Sequence, residues 1–225
     1  MFTAIFDLDG TLVDTAKDLM IAGNSTFREL GWTVRLEWTK HYAIAIGGGR
    51  SMIRYGLKAE SVSYTEKLVN EFYPILIKNY NRTIDQNSVL YDGVHEILDI
   101  LGSRGWNLGL CTNKPELQAD ILLSKLGIRS YFSSFIGSDT VEKAKPSAIP
   151  LLAAINRANG KLDTSVLVGD TITDFKTARA AKTKFVLAKY GHGSNAENLD
   201  HVVADGVAKT AKDIPLILEK LFREI

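Results

Sequence analysis

The chain has 225 residues, of which 45% are hydrophobic and 24% charged, with a formal net charge of +1. This balance excludes a collagen-like, disordered or disulfide-built protein, and it supplies no basic excess to draw the chain to nucleic acid or an anionic membrane surface. At about 150 residues per domain the length suits one large domain or two small ones. The single cysteine, Cys111, cannot form an internal disulfide and fits a reducing compartment. Asp7 and Asp9 fall where a secretory signal needs apolar residues, and no apolar run approaches the ~20 residues of a membrane span, so the expected location is cytoplasmic.

In chain order, the apolar segment 3–8 predicts a buried strand. From about residue 15 to residue 88 helical signals dominate. Thr15 and Asp18 have the spacing of a capping box, and Leu19, Met20, Gly23, Phe27 and Leu30 follow at helical intervals. A second helical stretch covers about 64–80, which Pro74 is expected to kink or divide. Strands at 106–112, 134–137, 166–169 and 184–187 then alternate with helical patterns at 115–126, 147–159, 173–181 and 211–222. Near-continuous apolar strands separated by helices predict a parallel sheet covered on both faces, a doubly wound Rossmann-like α/β core. The expected division is a core of residues 1–14 and 89–225 with an all-helical insertion, 15–88, after the first strand.

Ligands in such sheets bind beyond the carboxyl ends of the strands. The first strand ends in Asp7-Leu8-Asp9-Gly10-Thr11-Leu12, two acids spaced by two on one side of an extended segment before a turn that Gly10 permits. A solvated turn is the plain alternative, but the preceding Ala4-Ile5-Phe6 belongs in a core. A later strand ends in Gly169-Asp170-Thr171-Ile172-Thr173-Asp174, where Asp170 or Thr173, taken singly, reads equally well as a helix N-cap. Carboxylates about 4 Å apart repel by roughly 4 kcal/mol at an effective dielectric of 20. Converging acids therefore imply a cation, and an all-oxygen set favours Mg²⁺ over zinc. Cys111-Thr112-Asn113-Lys114 leads into a helix whose N-terminus suits an anion, and Lys143-Ala144-Lys145-Pro146 brings cations before another. Thr112 alone reads equally as a cap and Lys145 alone as a solvated lysine; with four acids they describe a phosphate held between metal, hydroxyl and ammonium.

Taken together these segments resemble the haloacid dehalogenase-like superfamily of phosphohydrolases. Asp7-Leu8-Asp9-Gly10-Thr11-Leu12-Val13-Asp14 is similar to its first motif, Thr112-Asn113 to the second, Lys145-Pro146 to the third, and Gly169-Asp170 with Asp174 to the fourth. The resemblance covers nearly the whole chain, including the helical cap, and is strongest to the phosphoglycolate-phosphatase-like subgroup, whose Gly-rich turn Gly191-His192-Gly193 resembles. Ala148 and Lys182 stand where that subgroup commonly has a second proline and a glycine. The resemblance implies a Mg²⁺-dependent phosphatase acting on a small phosphorylated metabolite. Asp7 is then the nucleophile that forms an aspartyl-phosphate and Asp9 the general acid and base. The metal is held by Asp7, the Asp9 carbonyl and Asp170, with Asp174 ligating or orienting. Thr112, the Asn113 backbone and Lys145 stabilise the transferring group, and Lys143 is the fallback for Lys145.

In the helical insertion, Ile46-Gly47-Gly48-Gly49-Arg50-Ser51 reads as a loop facing the chemistry, with Gly48 allowing close approach and Arg50 binding a second anionic group; a flexible connector with a solvated arginine fits equally. Trp32, Trp38 and Trp106 read as packing residues, Cys111 as a small buried hydrophobe and His192 as a loop histidine. Other functions on the same chemistry are a sugar phosphomutase of the β-phosphoglucomutase kind, disfavoured by Leu19 where that subgroup has a hinge histidine, and a pyrophosphatase. A metal-free dehalogenase is disfavoured by Asp9, a signalling receiver by chain length, and a non-catalytic module by the full motif set. Partners are expected to be a small phosphorylated metabolite, with no nucleic acid and no membrane, and the chain to be a monomer or homodimer.

Overall fold

The computed structural model describes residues 1–197, 199 and 202–223. The chain forms two compact units, Met1–Asp14 with Leu90–Ile225, and Thr15–Val89. In chain order the elements are β1 (Thr3–Phe6), β2 (Val13–Asp14), α1 (Ala16–Glu29), α2 (Trp38–Ile46), α3 (Gly49–Ala59), α4 (Glu66–Asn81), β3 (Val89–Leu90), α5 (Val94–Ser103), β4 (Asn107–Cys111), α6 (Glu116–Lys125), β5 (Ser134–Ile136), α7 (Ile149–Arg157), β6 (Ser165–Gly169), α8 (Ile172–Ala180), β7 (Lys184–Ala188), α9 (His192–Glu197), β8 (Gly206–Ala208) and α10 (Ile214–Phe222).

The first unit is built on a six-stranded sheet in the order β5-β4-β1-β6-β7-β8, with every pairing parallel. Its strands are apolar because both faces are covered. Ala4, Ile5, Phe6, Val166, Leu167 and Val168 are wholly buried, which is the physical reason for near-continuous rather than alternating hydrophobic runs. From β1 the chain builds outward through β4 and β5 on one side and through β6, β7 and β8 on the other. The order therefore reverses at β1, which creates a crevice beyond its carboxyl end. β8 and α5 were not anticipated from the sequence. β8 is three residues long at the sheet edge with Val207 exposed, so it carries no strong apolar signal. The helical pattern of α5 was present in the buried Val94, Ile97, Leu98 and Leu101.

The second unit is all helical. In α1 the buried face is Leu19, Met20, Gly23 and Phe27, and a Cβ at Gly23 would press on the Met52 sulfur of α3. Thr15 makes no side-chain cap on α1, because Asp18 faces away from the helix start and accepts from Asn87 N and Nδ2 and from Ser88 N and Oγ, at 2.7–3.1 Å. Pro74 does not divide its helix: α4 runs continuously through it. The segment 46–51 is not an open loop, since only Gly47 and Gly48 separate α2 from α3, with Gly48 at φ +83° making the corner. Of the tryptophans, Trp106 and Trp32 pack against Phe2 and Phe222 and against Phe27 and Phe72, whereas Trp38 is 47% exposed beside Tyr42 and is no core residue.

Candidate active site

Parallel register brings the acids together. Phe6 lies opposite Leu110 on one side and Val168 on the other, and Asp7 extends the ladder by donating its N–H to the Val168 carbonyl at 2.9 Å. Asp7 is thus level with Cys111 and Gly169, and Thr112 and Asp170 leave the flanking strands one residue beyond it. After Asp7 the chain doubles back: the N–H groups of Thr11, Leu12 and Val13 all point to the Leu8 carbonyl, at 3.0–3.2 Å. Gly10 sits at this reversal with φ +85°, and any Cβ there would collide with the Asp170 carboxylate. Glycine is needed twice over, for its backbone angle and for its lack of volume.

Asp7, Asp170 and Asp174 each offer a carboxylate oxygen within 4.8 Å of the other two, and all three are buried. Asp170 accepts from Thr11 Oγ1 at 3.1 Å and from Gly193 N at 2.7 Å. Thr171, not Asp170 or Thr173, caps α8: its Oγ1 accepts from Asp174 N, and Asp174 Oδ2 in return accepts from Thr171 N at 3.0 Å and Oγ1 at 2.6 Å. Asp174 Oδ1 remains for Lys145 Nζ at 2.6 Å. The same ammonium lies 2.8 Å from Asp7 Oδ1.

Charge in this pocket is poorly compensated by the protein itself. Burial pushes Asp7 up to about 7, with Lys145 opposing the rise and Asp174 adding to it. Asp170 is raised well above the ordinary carboxylate range by burial and by the neighbouring charges of Asp174 and Asp7. Burial works against the charge on Lys145, but Asp174 and Asp7 beside it hold it above the usual lysine range. Asp7 and Asp174 share one ammonium, while Asp170 is held by the neutral Thr11 hydroxyl and Gly193 N–H. An all-oxygen cluster of this kind fits a hard divalent cation better than zinc or a softer metal, which favour nitrogen and sulfur ligands.

Around the acids, Thr112 is buried and accepts from Lys114 N at 3.2 Å. The Asn113 carboxamide is bonded to the main chain of Lys145. Lys145 is the lysine that reaches the acids, whereas Lys143 is exposed. Asp9 is partly exposed and pairs with Lys114 Nζ at 3.0 Å, the lysine side chain being only 4% exposed. In the helical unit Gly48 is the N-cap of α3, and Arg50 lies in its first turn. The Arg50 guanidinium rests 3.8 Å from the centre of the Tyr73 ring, and its Nε donates to Asn70 Oδ1 at 2.9 Å. Cys111, whose thiol burial pushes up to about 12, is an inert core residue.

Residues 4–188 match the family model of haloacid dehalogenase-like hydrolases. The chain belongs to this family. Among curated relatives, a phosphoglycolate phosphatase of Agrobacterium fabrum is 35% identical over 221 residues, 97% of this chain and 93% of the relative. One of Colwellia psychrerythraea is 34% identical and covers 84% of each chain. The crystal structure of a predicted phosphoglycolate phosphatase from Haemophilus somnus has the same fold, with a TM-score of 0.84 at 24% identity over 96% of this chain and 97% of that one. A haloacid dehalogenase-like family protein from Streptococcus pneumoniae gives 0.79 at 24% identity, over 96% and 97%.

As a haloacid dehalogenase-like hydrolase the chain holds several site groups that sequence reasoning did not assign. Thr11 and Gly193 hold Asp170, and Cβ atoms at Gly191 or Gly193 would press on the same acid, which accounts for the glycine pair. His192 opens α9 and lies 2.8 Å from Asp14, tying the segment after β7 to β2. Lys114 had a usable signal, since it directly follows Thr112 and Asn113 at a strand end.

Proposed function

We propose that this hydrolase is a Mg²⁺-dependent phosphatase acting on a small phosphate monoester of the 2-phosphoglycolate class, with the first unit as catalytic core and the helical unit as cap. The observation that carries this reading is the buried cluster of Asp7, Asp170 and Asp174, two of them on the Lys145 ammonium, set at the strand-order reversal. The relatives named phosphoglycolate phosphatase support the substrate class.

On this reading Asp7, Asp170 and the Asp9 carbonyl hold Mg²⁺, with Asp174 ligating or orienting; the bound ion supplies charge neutralisation for a phosphate among acids. Asp7 attacks phosphorus as a carboxylate. The bond to the ester oxygen breaks, its electron pair leaves with the alkoxide, and Asp9 delivers the proton that makes the alcohol. Asp9 then takes a proton from water, whose oxygen attacks the aspartyl-phosphate to give inorganic phosphate and free Asp7. Lys145, the Thr112 hydroxyl and the Asn113 N–H stabilise the charge on the equatorial oxygens of the transferring group. Arg50, resting over the Tyr73 ring, supplies the helical unit's charge for a substrate carboxylate.

The test is phosphate release from 2-phosphoglycolate and p-nitrophenyl phosphate. Expected are turnover with Mg²⁺, none in EDTA, and none in a folded Asp7→Asn variant. Wild-type turnover by Asp7→Asn overturns Asp7 as nucleophile, and conversion of an added sugar phosphate to its isomer without free phosphate replaces the phosphatase by a mutase.

A further inference from the structure

We infer that the Asn113 side chain is a positioning residue, acting on the reaction through Lys145 rather than by touching substrate. This rests on the functional reading above, in which Lys145 faces the transferring phosphoryl group.

Asn113 follows β4, and Lys145 lies in the connection from β5 to α7. The two are 32 residues apart in sequence, yet the Asn113 carboxamide donates from Nδ2 to the Lys145 carbonyl at 3.1 Å and accepts the Lys145 N–H on Oδ1 at 3.0 Å. A primary carboxamide presents a donor and an acceptor side by side. Here they meet the C=O and the N–H of one residue, Lys145, as the two bonds of a ladder rung do. Aspartate at 113 would set a second acceptor against the Lys145 carbonyl, and alanine would offer nothing.

The clamp matters because of what the same lysine does at its other end. Lys145 Nζ is within 2.8 Å of Asp7 and 2.6 Å of Asp174, both buried, so its side chain has no slack to absorb a displaced main chain. Misplacement by about 1 Å of a group that must meet a transition state costs on the order of 100-fold. The β5–α7 connection is fastened to the same turn at other points, by Ser138 N to the Lys114 carbonyl at 3.1 Å and Glu116 N to Asp139 Oδ1 at 2.8 Å. Those bonds hold the connection as a whole; the Asn113 pair fixes the residue that carries the ammonium.

The experiment is a double-mutant cycle on the full chain with Mg²⁺: wild type, Asn113→Ala, Lys145→Met and the double variant, with p-nitrophenyl phosphate as substrate. Two lost neutral hydrogen bonds predict a fall in kcat of about 10- to 30-fold for Asn113→Ala, with KM changed less than about threefold. On the Lys145→Met background the same change costs less than about twofold. Calorimetric affinity for inorganic phosphate, measured on the same four proteins, keeps the cycle readable where turnover is too slow, and the same non-additivity is expected. Asn113→Ser, which retains a short donor and acceptor, takes the place of alanine if the latter fails to fold. Wild-type kcat in Asn113→Ala, or a full multiplicative loss on both backgrounds in either measurement, overturns the inference. That result alongside Mg²⁺-dependent, Asp7-dependent turnover leaves the phosphatase reading standing. Absence of wild-type turnover overturns both.

Discussion

The Lys145 ammonium lies 2.8 Å from the Asp7 carboxylate, with both groups almost sealed from water. A lysine so placed serves as a built-in counter-charge. It lets the fold bring Asp7 and Asp174 together without leaving two bare buried anions, and it leaves the cluster short of positive charge, which favours a divalent cation.

Replacing that ammonium separates the two roles. Lys145→Met keeps the aliphatic reach and removes the charge, leaving buried acids unpaired, a change that typically costs about 3–5 kcal/mol. The melting temperature in EDTA is expected to fall. The rise on adding Mg²⁺ is expected to exceed that of wild type, because the ion then relieves more repulsion. Calorimetric melting with and without Mg²⁺ checks this, and equal Mg²⁺ shifts in the two proteins would count against lysine as counter-charge.

Asp18 is the corresponding group of the helical unit. It is buried at the start of α1 and receives four donors from Asn87 and Ser88. Asp18→Ala leaves those donors without an acceptor and is expected to destabilise by about 3 kcal/mol, each unsatisfied buried group costing about 1–3 kcal/mol. Urea unfolding measures it; a loss below about 1 kcal/mol would show that water replaces the carboxylate.

Cys111 offers a check on core integrity. With its thiol buried and pushed up to about 12, almost no thiolate exists at pH 8, and an alkylating reagent has no path to it. Labelling by iodoacetamide at pH 8 is expected only as fast as the sheet opens, and immediate labelling in urea. Rapid labelling of the native protein would show that β4 is not sealed.

Several of these features are legible in the sequence and others are not, for physical reasons. Asp7 and Asp170 stand out because a wholly buried strand running straight into an acid is expensive unless the acid has a use. Lys145 and Lys143 look alike in sequence; what separates them is the Asn113 contact 32 residues away. Thr15 and Asp18 carry the signature of a cap, yet Asp18 is claimed by Asn87 and Ser88, 69 and 70 residues on, which no local pattern announces. The 46–51 segment looks like a loop because three glycines mask the start of α3, whose first turn includes Arg50. Local periodicity thus finds the strands and their acidic ends, while partner choice among polar residues is decided by the sheet's long-range order.

Arg50 provides the sharpest check on the substrate class. Its guanidinium stacks on Tyr73 and its Nε is taken by Asn70, so the side chain is held in one orientation on α3 before any ligand arrives. Preorganisation of this kind lowers the entropy lost on binding an anion, and the planar fork suits a carboxylate. Arg50→Ala is therefore expected to raise KM for 2-phosphoglycolate by about tenfold, in line with the ~1.5–3 kcal/mol of a charge-assisted hydrogen bond reduced by exposure. KM for p-nitrophenyl phosphate, which has no carboxylate, is expected to change less than about twofold, and kcat to hold for both. Parallel steady-state kinetics on the two substrates decide the matter. An equal rise in both KM values would reduce Arg50 to a packing residue on Tyr73 and remove the carboxylate from the substrate class.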